Sequence, residues 1–413
     1  MNIYAIIILS TLLIEYLLNL IANLLNLRTL SDELPDEFKG VYDEKAYRKS
    51  QEYTRVTTRF GLLTSTLQLA LLLLFWFGGG FNALDQIVRA WGFGPIWTGL
   101  LYIGILLMGL ALFSLPFSIY STFVIEEKFG FNKTTPKTFI LDLIKSFFLS
   151  IVLGGPLLAG VLAFFQYAGD LAWLYCWIIT TLFILIIQFI APTWIMPLFN
   201  KFKPLEEGEL KEKILAYARS VNFPLAGVFI IDGSRRSTKA NAFFTGFGKN
   251  KRIALYDTLV ENHTVPELVS ILAHEIGHYK KKHIIIGMVI NIVHTGVMFF
   301  LLSIFLSHKG LFDAFYMQHM SIYAGLIFFG MLYSPIELIL SIFLHIFSRR
   351  NEYEADRFAV TTIENPEAFI EALKKLTVHN LMNLTPHPFY AFLTYSHPPV
   401  LQRIQAIRKI IKT

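Results

Sequence analysis

"LAHEIGHYKKKH" (residues 272–283) stands where water-soluble sequence gives way to an apolar run that opens at Ile284 and continues to residue 306. Two histidines four apart, with a glutamate directly after the first, have the spacing of a hydrolytic metal site. The run that follows is long enough to cross a bilayer as a helix. The junction therefore predicts a water-using centre at the edge of a membrane.

Composition agrees with the membrane half of that reading. The chain has 413 residues, of which 54% are hydrophobic and 16% charged, and its mean hydropathy is +0.52. That leaves too little polar surface to cover a soluble protein. Apolar runs of spanning length fall near 3–26, 60–81, 97–118, 139–168, 171–192, 284–306 and 321–347. The first has no basic leader and no small-residue cleavage pattern, so it is expected to be an anchor rather than a secretory signal.

Lysine and arginine orient the spans. The loop 27–59 carries Arg28, Lys39, Lys45, Arg48, Lys49, Arg55 and Arg59, the next loop only Arg89, and the third Lys128, Lys133 and Lys137. The connection 169–170 has none, the segment 193–283 is rich in them, the loop 307–320 has only Lys309, and the tail is basic. This alternation puts the N-terminus outside, and the insert and tail 348–413 in the cytoplasm. The pI of about 9.1 is then juxtamembrane charge, and no basic stripe interleaved with aromatics argues for nucleic acid. Cys176 is the single cysteine, which excludes an intrachain disulfide or a thiolate metal cluster.

The expected fold class is mainly α: a polytopic membrane protein of seven transmembrane helices with a small cytoplasmic α+β metalloprotease region. Four parts are expected, namely five spans with their loops over 1–192, a cytoplasmic insert over 193–283, spans six and seven over 284–347, and a C-terminal segment over 348–413. There is no internal repeat and no low-complexity tract. "GVFIIDG" (227–233) and "KRIALYDTLV" (251–260) read as strands, with the Gly/Ser/Asn-rich stretch 233–250 between them. Thr264, followed by Pro266 and Glu267, is a capping-box start for a helix carrying the opening motif, leaving open whether that helix continues into the sixth span.

On that helix His274 and His278 face the same way, so both imidazoles can bind one metal at about 2.0–2.1 Å. Glu275 points to the adjoining side, where it can take a proton from a water acidified by the metal. A catalytic zinc needs a third protein ligand and an open position. "SRRNEYEADRFAV" (348–360) supplies candidates: Glu352 and Asp356 share a helix face, whereas Glu354 points elsewhere. Glu352 would bind the metal and Asp356 would accept the free N–H of a ligating histidine. The same spacing also fits an exposed acidic face paired with Arg349, Arg350 and Arg357.

"LAHEIGHYKKKH", "SRRNEYEADRFA", "YSHPPVLQRI" (395–404) and "DGSRRSTKANAFFTGFGKNKRIALYDTL" (232–259) stand in this chain in the order and spacing of a known family. With the span layout and "PTWIMPLFNKF" (192–202), the chain resembles the integral-membrane zinc metalloproteases of the type I CaaX prenyl protease family over nearly its whole length. The resemblance implies one Zn2+ held by His274, His278 and Glu352, with Glu275 as the base. It also implies that Asn241, with Ala242 and Phe243, holds the substrate backbone, that His397 reaches the developing oxyanion, and that the spans surround a water-filled chamber. Arg403, in the last motif, is a supporting candidate.

The residues alone lend some of these roles support. His397 precedes two prolines that fix its backbone, so it could be held as an oxyanion donor, although a turn residue on the surface fits the same pattern. The segment 240–247, if extended, could pair with a substrate strand. Lys280, Lys281, Lys282 and His283 read as interfacial anchors rather than ligands. His294 and His345 lie within spans without an assigned role, and Asp142 with Lys145 reads as a chamber-lining or snorkelling pair.

The partners expected are a peptide substrate, prenylated or otherwise membrane-associated, and membrane lipid. The compartment expected is the plasma membrane in a bacterium and the endoplasmic reticulum in a eukaryote. Three other readings remain, one of them a catalytically dead zinc protein, which would be expected to lack Glu275 or a partner such as Glu352, both present here. A protease that clears membrane proteins without lipid selectivity would share the same centre. A transporter would need broken spans, for which "GGP" (154–156) is the suggestive break.

Overall fold

The structure, a computed structural model, describes residues 1–245 and 251–412. Seven of its helices are long and apolar enough to cross a membrane: Ile3–Arg28, Glu44–Phe77, Pro95–Phe129, Pro136–Tyr167, Gly169–Leu198, His283–Phe305 and Ile322–Thr362. Six of the seven apolar runs fall in one of them to within a residue; the run 60–81 overshoots, its helix ending at Phe77 and a separate helix, Gly80–Ala90, following. The helix Pro136–Tyr167 runs unbroken through Pro156, so the break read into "GGP" is not there; neighbouring helices and local adjustments make a proline tolerable inside such a span.

Two ends of these helices set up the rest. The last one, Ile322–Thr362, is 41 residues long, which at 1.5 Å per residue makes it about 60 Å. A hydrocarbon core takes up only about 30 Å of that, so this long helix carries residues 348–360 out of the lipid without interruption. The opening motif lies on a separate helix, Val265–Lys280, the histidine helix. Its expected capping box is formed, with the Thr264 N–H donating to Glu267 Oε2 at 2.9 Å. It does not continue into the sixth span: Lys282 takes up φ 62°, and a new helix starts at His283.

The insert between the fifth and sixth spans folds as a four-stranded sheet in the order β1-β2-β4-β3, formed by Phe202–Pro204, Leu225–Ile231, Ala242–Thr245 and Lys251–Tyr256. β2 and β4 are the two strands expected from sequence, and they pair in parallel. β4 ends at Tyr256, after which Asp257–Asn262 is helical. β1 and β3 flank them antiparallel. Of the segment 240–247, residues 242–245 are β3 and 246–247 lie outside the described residues. The histidine helix packs against this sheet through Leu268, Leu272 and Ile276, and the same core takes in Ile404 and Ile407 from the C-terminal helix Val400–Ile411. With Ala359 of the long helix in the same core, apolar burial gathers all four motif segments into one body.

Asp142 and Lys145 do not pair with each other. Arg236 donates to both oxygens of Asp142, at 2.7 and 3.0 Å, and Lys145 donates to the Leu198 carbonyl. The bidentate contact fastens the insert to the fourth span.

Candidate metal centre

The histidine helix and the long helix meet at Gly277. A Cβ built there would stand 3.0 Å from Ala355 Cα and 3.1 Å from its carbonyl oxygen, so only glycine lets the backbones approach this closely. That approach brings Glu352, one turn before Ala355 on the long helix, opposite the two histidines.

The three side chains converge. His274 Nε2 and His278 Nε2 are 3.2 Å apart, His274 Nε2 is 3.4 Å from Glu352 Oε2, and His278 Nε2 is 3.2 Å from Glu352 Oε1. A tetrahedral ion with bonds of about 2.0–2.1 Å would need neighbouring ligand atoms about 3.3–3.4 Å apart. The spacing therefore fits zinc. Glu352 Oε2 also lies 3.5 Å from Arg403 Nη1, yet neither of its contacts has hydrogen-bonding geometry, and this buried oxygen has no hydrogen-bond partner. A cation would satisfy it.

Around the ligands, His274 Nδ1 is 2.9 Å from Asp356 Oδ1. Arg403 forks onto that same carboxylate, with Nε and Nη2 at 2.9 and 2.6 Å. Asp356 is thus held from both sides, which fixes the ring it supports. Burial disfavours the His274 cation, but the Asp356 and Glu352 carboxylates outweigh it and push its pKa up to about 9. The pocket favours positive charge between these carboxylates. Phe369 closes it on another side, its ring 5.7 Å from that of His274.

Of the other expected residues, Glu275 is half-buried, and its carboxylate has no hydrogen bond or ion pair among the described residues, although its charge reaches Arg403. His397 comes to the open side: its side chain is 64% exposed and Nε2 is 3.4 Å from Glu352 Oε1. Asn241 lies just before β3, and its carbonyl accepts from the Tyr256 N–H at 3.0 Å. Ala242 and Phe243 pair with Leu255 and Ala254 on the edge strand β3, whose outer side faces no further strand among the described residues. His345 bonds the Leu393 carbonyl, and His294 lies 3.2 Å from Glu337.

His283 corrects the sequence reading. Lys281 and Lys282 are exposed, as anchors would be, but His283 is buried, with Nδ1 3.1 Å from His278 Nδ1. The turn at Lys282 swings it back against the His278 ring. Glu354, outside the group formed by His274, His278 and Glu352, faces His283 at 3.4 Å. Helical spacing carries no signal for such a contact, since five residues on a continuous helix would place the ring on another face.

Comparison with known proteins agrees with this geometry. A family model described as CAAX prenyl protease N-terminal, five membrane helices, matches residues 23–201, and one described as peptidase family M48 matches residues 204–411. The chain belongs to the M48 peptidases. The probable CAAX prenyl protease 1 of Schizosaccharomyces pombe is 38% identical over 383 residues, covering 88% of this chain and 80% of that one. The CAAX prenyl protease 1 homolog of Homo sapiens is 34% identical, covering 91% and 88%. The crystal structure of Ste24p from S. mikatae superposes with a TM-score of 0.93 at 32% identity, covering 98% of this chain and 99% of that one. This M48 peptidase is a multi-pass membrane zinc metalloprotease, with a His274, His278 and Glu352 group able to hold the ion.

Proposed function

We propose that this protease hydrolyses peptides near the C-terminus of prenylated CaaX-type proteins, from a centre in which His274, His278 and Glu352 hold zinc. The observation that carries the centre is the 3.2–3.4 Å spacing among the two Nε2 atoms and the Glu352 carboxylate, one oxygen of which, Oε2, is buried without a hydrogen-bond partner. The substrate class comes from the relatives, which bear the name CAAX prenyl protease.

Zinc, when bound, supplies Lewis acidity to a water and to the peptide carbonyl. The chain does the rest. Glu275, free of competing partners among the described residues, accepts the proton of the attacking water and returns it to the leaving amine. His397, with its ring exposed at the open side, donates to the developing oxyanion. β3, with Asn241 just before it, offers a strand edge left unpaired among the described residues, along which an extended peptide can lie. Asp356, backed by Arg403, holds the His274 ring in the tautomer a ligand needs.

The Lys and Arg distribution supports a cytoplasmic location for the sheet, the histidine helix and the C-terminal helix. Only 6–22% of the residues in each span's most apolar window are buried. That supports spans with lipid on one side and a water-filled space on the other. A purified preparation given a farnesylated CaaX peptide and its unlipidated twin tests the substrate class. Preferential cleavage of the farnesylated peptide is expected, and equal rates would replace this proposal with a protease lacking lipid selectivity.

A further inference from the structure

The two metal-facing histidines are not supported in the same way. A ligating imidazole uses one nitrogen on the metal and donates the N–H of the other, usually to a carboxylate or a carbonyl. His274 has Asp356 for this purpose, at 2.9 Å. Next to His278 Nδ1 stands another imidazole nitrogen, His283 Nδ1, at 3.1 Å.

We propose that His283 is the positioning residue for His278: a neutral imidazole that accepts the His278 Nδ1 proton and is itself locked by Glu354. The hydrogen-bond directions follow from valence. With Nε2 turned to Glu352 and His274, His278 carries its proton on Nδ1 and donates it. His283 must then present a bare Nδ1, so its own proton sits on Nε2, the atom 3.4 Å from Glu354 Oε2. The other Glu354 oxygen lies 3.2 Å from Arg350 Nε. A directional chain runs from the metal-facing ring through His283 to a carboxylate pinned by an arginine.

Three further observations fit. His283 is only 7% exposed, so few waters can compete for its Nδ1. The two rings stand at 72° with centroids 5.2 Å apart, edge to edge rather than stacked. Lys282 adopts a left-handed backbone, at φ 62°, that a non-glycine residue takes up at some cost, and this turn is what delivers His283 to its place.

This inference rests on the zinc-centre reading, and its test separates the two. Zinc affinity is measured on the full-length detergent-solubilised protein by competition with a chelator, beside the thermal stability of the zinc-free protein. His283→Asn keeps an acceptor where Nδ1 stands, whereas His283→Gln places its polar atoms where Nε2 stands. H283A and H283Q are expected to hold zinc about 10- to 100-fold more weakly, and H283N to stay close to wild type, with the three zinc-free proteins melting alike. Wild-type affinity in H283A, or equal losses in H283N and H283Q, would overturn the proposal. Glu354→Leu, at a half-exposed position, covers the case in which the His283 variants do not fold. It is expected to weaken zinc several-fold, and unchanged affinity would overturn the chain. A wild-type protein that holds no zinc would sink the centre itself instead.

Discussion

Replacing Gly277 with alanine should uncouple the metal centre from the fold. The new methyl carbon would meet Ala355 Cα at 3.0 Å, its carbonyl oxygen at 3.1 Å and its Cβ at 3.3 Å. Carbon atoms rest about 3.5–4.0 Å apart, so the histidine helix and the long helix must separate by about 0.5 Å. Both are backbone-limited at this point, and no side-chain rotation relieves the contact. Metal–ligand distances hold to within about 0.2 Å, and Glu352 sits on one of the two helices while His274 and His278 sit on the other. Overpacking costs about 1–3 kcal/mol, but alanine favours a helix over glycine by about 1 kcal/mol. The net destabilisation is then about 0–2 kcal/mol, whereas zinc affinity should fall about tenfold or more. Chelator competition and thermal melting of the zinc-free G277A protein measure the two quantities. If G277A holds zinc and cleaves peptide as the wild type does, helix contact at residue 277 does not set the ligand spacing and the reasoning fails.

Glu275→Gln should retain zinc and lose peptide hydrolysis by about 10²- to 10⁴-fold, the range for general acid–base catalysis; metal content and cleavage measured together would expose an error, since retained hydrolysis contradicts the assigned base. Glu352→Ala should empty the centre, because the remaining pair of imidazoles leaves zinc one protein ligand short; stoichiometric zinc in the purified variant would refute it. Arg403→Leu should loosen zinc by releasing the Asp356 carboxylate that it grips at 2.6 and 2.9 Å, and affinity equal to wild type would make that fork purely structural. Acid and metal should oppose each other at His274. Its folded pKa of about 9 lies above the ordinary value of 6.5, so in the zinc-free protein the protonated ring contributes stability that is full below pH 6.5 and lost as pH rises through 9. Zinc must displace that proton, so apparent zinc affinity should rise across the same window; a flat affinity between pH 7 and 9 would argue against it.

What could be read from the chain and what could not divides along how far apart the interacting atoms are in sequence. Apolar length is a property of one segment, which is why all seven spans were legible. The capping box at Thr264 and Glu267 and the shared face of His274 and His278 need only three or four residues of context. Glu352 could be placed on the same helix face as Asp356, but whether that face met zinc or solvent depended on Gly277, 75 positions away, admitting Ala355. β1 and β3 are three and four residues long and have little pattern of their own; they are strands because β2 and β4 are there to pair with. The ties of Arg236 to Asp142 and of Arg403 to Asp356 leave no local trace at all.

His283 and Glu354 show the limit most sharply. Helical periodicity puts Glu354 on a different face from Glu352 and Asp356, and a basic run before an apolar one makes His283 read as an anchor. Both inferences assumed that whatever leaves the metal's face enters solvent or lipid. Where two helices cross as closely as these do at Gly277, the adjoining face of one lies against the start of a third, and a single left-handed residue, Lys282, brings that third helix in. Two side chains assigned to separate surfaces by periodicity then become neighbours behind the same ligand. A site formed by crossing helices should accordingly be searched one face further out than its ligands, beginning at any non-glycine residue forced to positive φ beside them.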